Sequence, residues 1–200
     1  MDMKAMFQLS YGLFVVTAKE GEKDNGCITN TAGQVTTTPN RITLAVNKNN
    51  YTHDMILRTG FFNVSILSEK AVFDTFRHFG FQSGRDVDKF ADYGSAKRSA
   101  NGLYYITEGT NAYLSAKVVG TMDLGTHTLF LADVTDGEVL DSAASATYAY
   151  YHSNIKPAPA KEEKKGWRCK ICGYIYEGDV LPEDFICPVC KHGAADFEKI

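Results

Sequence analysis

The chain has 200 residues, of which 44% are hydrophobic and 22% charged, and a formal net charge of −3. These values exclude collagen, a long coiled coil and wholesale disorder. Mild acidity also excludes strong electrostatic attraction to nucleic acid, because a polyanion is repelled unless lysines and arginines cluster. The N-terminal apolar run 11–18 is too short to span a bilayer and carries no basic flank or small-residue cleavage site, and no later run reaches the ~18 apolar residues of a membrane helix. The reading is a cytoplasmic protein that contacts neither membrane nor nucleic acid. Of its five cysteines, Cys27 stands alone while Cys169, Cys172, Cys187 and Cys190 crowd the C-terminus. In a reducing compartment that placement points to metal ligands and one free thiol rather than to disulfides.

Taken in chain order, runs rich in Val, Ile, Thr, Phe and Tyr predict strands over 11–18, 27–35, 41–47, 61–67, 113–122 and 128–135. Two helical patterns interrupt them. Thr52 is placed to cap a helix that carries Met55 and Ile56 and ends at Gly60, and a second helix is predicted over 69–79 with Val72, Phe73 and Phe76 on its apolar side. Many strands, few helices and no strand–helix alternation predict a mainly β fold, a barrel or sandwich with peripheral helices. The absence of GxGxxG after the first strand argues against a Rossmann domain. Residues 154–165 (NIKPAPAKEEKK) combine two prolines with a solvated charge run and read as a linker. The division is therefore a domain over 1–153 and a second over 166–200. A 35-residue unit is too small to hold itself by its core alone and needs a staple.

The staple is the pattern Cys169-x2-Cys172-x14-Cys187-x2-Cys190. Two CxxC pairs at that separation let two hairpin turns place four thiolates around one ion, and tetrahedral sulfur suits zinc or a single iron. Spacing alone leaves that choice open. Trp167, Tyr174, Tyr176, Phe185 and Phe197 surround the cysteines, more aromatic shell than a zinc staple requires and suited to limiting water around a redox centre. Gly173 and Pro188 suit tight turns whose N–H groups point at sulfur. The segment WRCKICGYIYEGD…LPEDFICPVCKHGAADFEKI resembles the rubredoxins in a short form found fused to other redox proteins. The resemblance implies one iron held by Cys169, Cys172, Cys187 and Cys190 and cycling by one electron. Two departures stand out: a shorter loop between the pairs, and Lys191 where the family usually has Gly.

A one-electron carrier needs a source of single electrons, whereas a nicotinamide delivers hydride. A flavin converts one into the other, so 150 residues of β-rich chain fused to such a carrier are expected to hold a flavin. The segment 25–39 (NGCITNTAGQVTTTP) brings Asn30, Thr31, Gln34, Val35 and Thr36 into one strand-like run whose edge can face a pyrimidine ring and a ribityl chain. The next segment leaves a strand with Asn47, Lys48 and Asn49 and opens a helix near Thr52, a ready phosphate site. These two segments, with YGLFVVTAKEG, FFNVSIL, the 79–90 stretch, GTHTLFLADV and TYAYYH, resemble the flavin reductase-like domain family and its FMN-binding split barrel. The resemblance implies that Asn30, Thr31, Gln34, Val35, Thr36, Asn47, Lys48, Asn49 and Thr52 contact FMN, that His127 lies near flavin or nicotinamide, and that the chain forms a homodimer. Cys27 reads as a small buried residue, Tyr151 and Tyr150 as packing, and Arg85 and Lys89 either as attracting a nicotinamide phosphate or as keeping a loop soluble.

Together these readings describe an electron-transfer enzyme. NADH or NADPH reduces FMN, electrons pass singly to the iron, and the iron reduces an external acceptor. By resemblance the acceptor is a flavodiiron protein that reduces dioxygen or nitric oxide. Two rivals are a carrier without its own NAD(P)H activity, and a flavin or ferric reductase whose C-terminal unit is a zinc docking module.

Overall fold

The computed structural model describes residues 2–157 and 166–200. The chain divides into two compact units, Met1–Pro157 and Ala158–Ile200. Most of the expected linker, residues 158–165, lies outside the described residues, and its first residues, Asn154 and Ile155, belong to a helical turn of the larger unit. Among the described residues no helix is long and apolar enough to cross a membrane.

The larger unit is one antiparallel seven-stranded sheet in the order β2-β1-β5-β8-β9-β4-β3. Its strands are β1 (Phe14–Glu20), β2 (Lys23–Thr29), β3 (Gly33–Thr37), β4 (Asn40–Asn47), β5 (Phe61–Leu67), β8 (Thr110–Asp123) and β9 (His127–Val139), while β6 (Ala96–Arg98) and β7 (Tyr104–Ile106) form a separate hairpin. The two sheet edges, β2 and β3, are consecutive in sequence and joined by Asn30, Thr31 and Ala32 alone. A chain advancing at most ~3.6 Å per residue keeps Thr29 and Gly33 within about 14 Å of each other. The sheet must therefore roll up until its edges nearly meet, without pairing: a split barrel. Bulges at Ser115/Ala116 and Val118/Gly120 in the long β8–β9 pair supply the bend.

Strand periodicity explains the core. Phe14, Val16 and Ala18 of β1 point into the barrel with Cys27, Leu44, Val46, Phe62, Val64, Phe130 and Ala132, all buried. The alternate residues Leu13 and Val15 point outward and are buried by Leu67, Phe76, Phe79, Ile106 and Tyr151. α1 (Tyr51–Thr59) plugs the barrel with Met55 and Ile56, both fully buried and each stabilising by about 1.5–3 kcal/mol. α2 (Phe73–Gly80) covers the outer face with Phe76 and Phe79.

The structure corrects several sequence expectations. The single strand expected over 27–35 is two, β2 and β3, because residues 30–32 must cross the split. The strand expected over 11–18 starts at Phe14 and runs to Glu20. The cap of α1 is Asn50 and not Thr52, whose hydroxyl is fully buried inside the helix and accepts from Asn25 Nδ2 at 3.0 Å; the helix does end at Gly60. α2 begins at Phe73 rather than 69, because the backbone of Ser68, Glu69 and Ala71 is taken by Gly109, Ala144 and Ser68 itself.

Asn63 anchors the β6–β7 hairpin to the barrel. It is fully buried on β5, donates from Nδ2 to Ser99 Oγ at 2.8 Å and Leu103 O at 3.1 Å, and accepts from Asn101 Nδ2 at 2.8 Å. Asn63→Leu strands these buried groups and is expected to lower the unfolding free energy of the larger unit by about 1–3 kcal/mol in urea denaturation. An unchanged midpoint would contradict the anchoring role.

Candidate functional site

The split in the barrel is the first candidate site, since β2 and β3 leave unpaired backbone groups along it and polar side chains gather there. Thr31 Oγ1 donates to Ala45 O of β4 at 2.5 Å and lies 2.7 Å from Thr29 Oγ1, so the crossing segment is pinned across the split. Asn30 and Thr31 line a hollow of about 860 Å³ together with Leu9, Tyr11, Tyr148 and His152. That volume falls in the range of ~300–1,000 Å³ typical of small-molecule sites. Gln34 lies instead at a second, apolar hollow of about 330 Å³ bounded by Phe14, Ile42 and Leu114, and its Nε2 donates to Asn40 Oδ1 at 3.1 Å. All five residues of β3 are exposed, Val35 and Thr36 among them.

A second group gathers where β4 runs out. Asn47 pairs with His127, Lys48 N–H donates to Thr126 O at 3.0 Å, and Asn49 N–H donates to Asn47 Oδ1 at 2.9 Å. Lys48 Nζ is 2.7 Å from Asp123 Oδ1, and His127 Nδ1 is 2.8 Å from Thr126 Oγ1. The N-terminus of α1 follows at once, and its cap residue Asn50 makes no side-chain capping bond. Free helical N–H groups and the ammonium of Lys48 suit an anion. The structure thus brings Asn30 with Thr31, and Asn47 with Lys48, Asn49 and His127, while the hydroxyl of Thr52 faces inward.

Several residues carry roles the sequence did not disclose. His53 is buried beneath the same helix turn, its Nε2 2.8 Å from Thr128 Oγ1 and its Nδ1 3.0 Å from Asp54 Oδ1. Arg85 Nη2 donates to Asp54 Oδ2 at 2.7 Å. The hydrogen bond to His53, then that to Arg85, hold the Asp54 carboxyl below its usual range. This chain ties the 81–95 segment to α1 and to the start of β9. Lys89 is buried and donates from Nζ to Gly26 O at 2.8 Å and Phe79 O at 2.9 Å, so it clamps that segment rather than meeting solvent or a nucleotide; desolvation pushes its pKa down. Cys27 is buried in the barrel core, and burial pushes its thiol up. Tyr151 packs on Phe76, ring centroids 4.4 Å apart. Cys27 and Tyr151 take the places read from the sequence, a small buried residue and a packing ring; of the others, only His53, a histidine one turn from an anion site, carried a signal in the sequence.

The smaller unit is built on the antiparallel sheet β11-β10-β12, from β10 (Trp167–Cys169), β11 (Ile175–Tyr176) and β12 (Phe197–Lys199). The sulfurs of Cys169, Cys172, Cys187 and Cys190 lie within 4.8 Å of one another, with Cys169 to Cys190 at 3.6 Å and Cys172 to Cys187 at 3.5 Å. A tetrahedral ion with bonds of about 2.3 Å needs sulfurs about 3.8 Å apart, so the four residues fit one ion. The two CxxC turns repeat each other. Cys169 N–H donates to Tyr174 O and Cys187 N–H to His192 O, both at 2.8 Å, while Gly173 N–H returns to Cys169 O at 2.9 Å and Lys191 N–H to Cys187 O at 3.0 Å. Burial pushes the Cys169 and Cys187 thiols up, but backbone N–H groups of Ile171 and Cys172, and of Val189 and Cys190, outweigh it and bring Cys187 to about 7. The N–H donors are thus these four residues with Tyr174 and His192, rather than Gly173 itself. Phe185 packs between Tyr176 at 4.7 Å and Phe197 at 5.4 Å, and forms the apolar shell with Trp167 and Tyr174. Cys169 and Cys187 are buried, whereas Cys172 is exposed.

Comparison with known proteins finds a family match for each unit. Residues 6–159 match the flavin reductase like domain, and 167–198 match the rubrerythrin, rubredoxin-like domain. The chain belongs to the flavin reductase-like family. This flavin reductase-like chain is 39% identical over the whole of both proteins to a high molecular weight rubredoxin of Moorella thermoacetica. It is 38% identical to a ferric-chelate reductase (NAD(P)H) of Archaeoglobus fulgidus, over 76% of this chain and 89% of that protein. The styrene monooxygenase flavin reductase of Pseudomonas putida S12 superposes with a TM-score of 0.65 at 20% identity, covering 78% of this chain and 97% of the other, which establishes the shared fold. The larger unit is a flavin reductase-like split barrel, and the four cysteines form a rubredoxin-like site.

The departure at Lys191 has a measurable cost. Gly173 and Lys191 occupy equivalent turns with φ of +78° and +61°, a region that disfavours a side chain by about 1–2 kcal/mol. Lys191→Gly is expected to stabilise the metal unit by that amount, seen as slower metal loss to a chelator; an unaltered rate would place the strain elsewhere.

Proposed function

We propose that this protein is an NAD(P)H-dependent oxidoreductase that uses FMN in its larger unit and one iron in its smaller unit to deliver electrons to an external acceptor. The observation that carries the reading is the four-sulfur tetrahedron, with its N–H donors, in the same chain as a flavin reductase-like barrel. Bound flavin supplies the conversion of a two-electron hydride into single electrons. The protein's own residues bind and orient. The crossing segment at Asn30 and Thr31, with the exposed edge from Gln34 to Thr36, presents hydrogen-bonding groups to the ring and ribityl chain. Asn47, Lys48, Asn49 and the first N–H groups of α1, where Thr52 lies, hold the phosphate, and this anchor fits a mononucleotide. His127, beside Asn47 on β9, borders the ring or the nicotinamide. Cys169, Cys172, Cys187 and Cys190 hold the iron, and the exposed Cys172 is the edge through which electrons leave. We assign the acceptor as a flavodiiron protein, by the resemblance given above, and the location as cytoplasmic.

A homodimer is part of the same reading. β3 is exposed throughout, and beside it lies the apolar hollow bounded by Phe14, Ile42 and Leu114. A second copy would cover that surface, and light scattering would then give twice the chain mass.

Direct reduction of ferric chelates by the barrel is a second reading, favoured by the ferric-chelate reductase relative, whose match covers 76% of this chain. One experiment separates the readings. Purified holoprotein is expected to combine a yellow flavin spectrum with thiolate-to-iron bands, and both are expected to bleach anaerobically on NADH or NADPH. Iron bands that stay oxidised while the flavin bleaches would leave the chelate reductase; no bleaching at all would sink both. Replacing Cys172 and Cys190 with Ala is expected to reduce iron from one atom per chain to none and leave flavin bleaching by NAD(P)H intact. Loss of flavin reduction in that variant would contradict independent units.

A further inference from the structure

The hollow beside Asn30 and Thr31 has a wall that the functional reading does not use. It is made by the helical segment α3 (Tyr148–Tyr150) and the π-helical turn Tyr151–Ile155 that continues it. Such π turns are rare and occur often at functional sites. Here the turn is held at both ends and on one side. Thr147 Oγ1 accepts from Tyr150 N–H at 3.1 Å, Lys156 N–H donates to Tyr151 O at 2.8 Å, and the ring of Tyr151 is buried against Phe76. With Tyr151 buried, Tyr148 and His152, four residues apart, stand side by side and both line the hollow. Their rings meet edge to face at 4.6 Å, Tyr11 meets Tyr148 at 6.5 Å, and all three line the hollow together with Asn30 and Thr31.

The chemistry of this hollow is set by a proton count, which rests on the function proposed above. Oxidation of NAD(P)H to NAD(P)+ yields two electrons and one proton. Each ferric ion takes one electron to become ferrous and takes no proton. Every hydride that enters and leaves as two electrons to iron therefore leaves one proton behind in the flavin hollow, and that proton must reach water. Among the described lining residues there is no carboxylate and no ammonium. The titratable groups beside His152 are Tyr148 and Tyr151 on its own segment, with Tyr11 next to Tyr148, all phenols. An imidazole is the general acid–base group met most often in catalysis, and His152 is the one imidazole among the described lining residues. His152 is itself exposed, so its ring reaches bulk water as well as the hollow.

We propose that His152 is the proton-handling residue of this site: its imidazole takes the proton left by each hydride and releases it to solvent as the two electrons pass to iron. The locked π turn keeps the ring at the hollow instead of letting it sweep the surface.

The test uses the full holoprotein and the His152→Gln and His152→Ala variants. Histidine side-chain NMR from pH 5 to 9, with the His152 signal identified by its loss in His152→Gln, is run on apoprotein before and after adding FMN, with flavin fluorescence quenching read on the same samples. Quenching together with a moved His152 titration midpoint is expected. In stopped flow with NADH, His152→Gln is expected to slow iron reduction roughly 100-fold, and added imidazole is expected to restore the rate in His152→Ala. FMN binding with an unmoved His152 titration, or iron reduction at the unsubstituted rate in His152→Gln, overturns the role of His152 alone. Absence of quenching overturns both this role and the FMN assignment beneath it.

Discussion

Three residues, Asn30, Thr31 and Ala32, connect the two edges of a seven-stranded sheet, and the larger unit is arranged around that constraint. So short a crossing forces the sheet to curl until β2 and β3 face each other. The curl makes an interior that Leu44, Phe62, Phe130 and the helix residues Met55 and Ile56 fill. It also leaves a line where backbone donors and acceptors have no strand partner. Unpaired edges are a liability in most sheets. Here the crossing chain occupies the gap, Thr31 ties it to β4, and polar side chains collect on its outer side. The barrel's incompleteness and the hydrogen-bonding edge it leaves are therefore one feature.

The smaller unit solves a different problem. Its buried core beyond the ligands is Phe197 with partly buried Trp167, Tyr174, Tyr176, Leu181 and Phe185, too little to hold a chain of this length. Four thiolates around one ion take the place of the missing core, and binding energy becomes folding energy. Because the CxxC turns direct N–H groups at sulfur, the same backbone that shapes the fold also stabilises negative charge on the ligands. Lys191 sets a side chain in one of these turns where its counterpart, Gly173, has none.

What could be read in advance follows from how local each feature is. The four-cysteine site was legible because its ligands and aromatic shell lie within one short segment and the spacing alone brings the sulfurs together. The barrel class was legible from strand periodicity, and Met55, Ile56, Val72, Phe73 and Phe76 marked two helices to within a few residues. The break at 30–32 was not, since Asn30–Ala32 continue a strand-like pattern and only the overall topology decides that they must cross. Thr52 looked like a cap because hydroxyls cap helices, but Asn25, distant in sequence, claims that hydroxyl. Lys89 looked like a surface cation, and only the carbonyls of Gly26 and Phe79 make its burial tolerable. Each miss is a contact between segments far apart in the chain.

The two sites also differ in how open they are, and the difference follows from what each must exchange. A rubredoxin-like centre gains and loses electrons only, and electrons need no channel. Cys169 and Cys187 can be sealed and one ligand, Cys172, left at the surface. A flavin site must admit a nicotinamide, receive a hydride and dispose of a proton, none of which can occur in a closed core. The hollow beside Asn30 and Thr31 is wide and walled by aromatic rings and one imidazole, while the Lys48–Asp123 ion pair lies elsewhere, where β4 runs out towards α1. On the function proposed above, that separation would let a phosphate be held by static charge while an imidazole stands at the ring end.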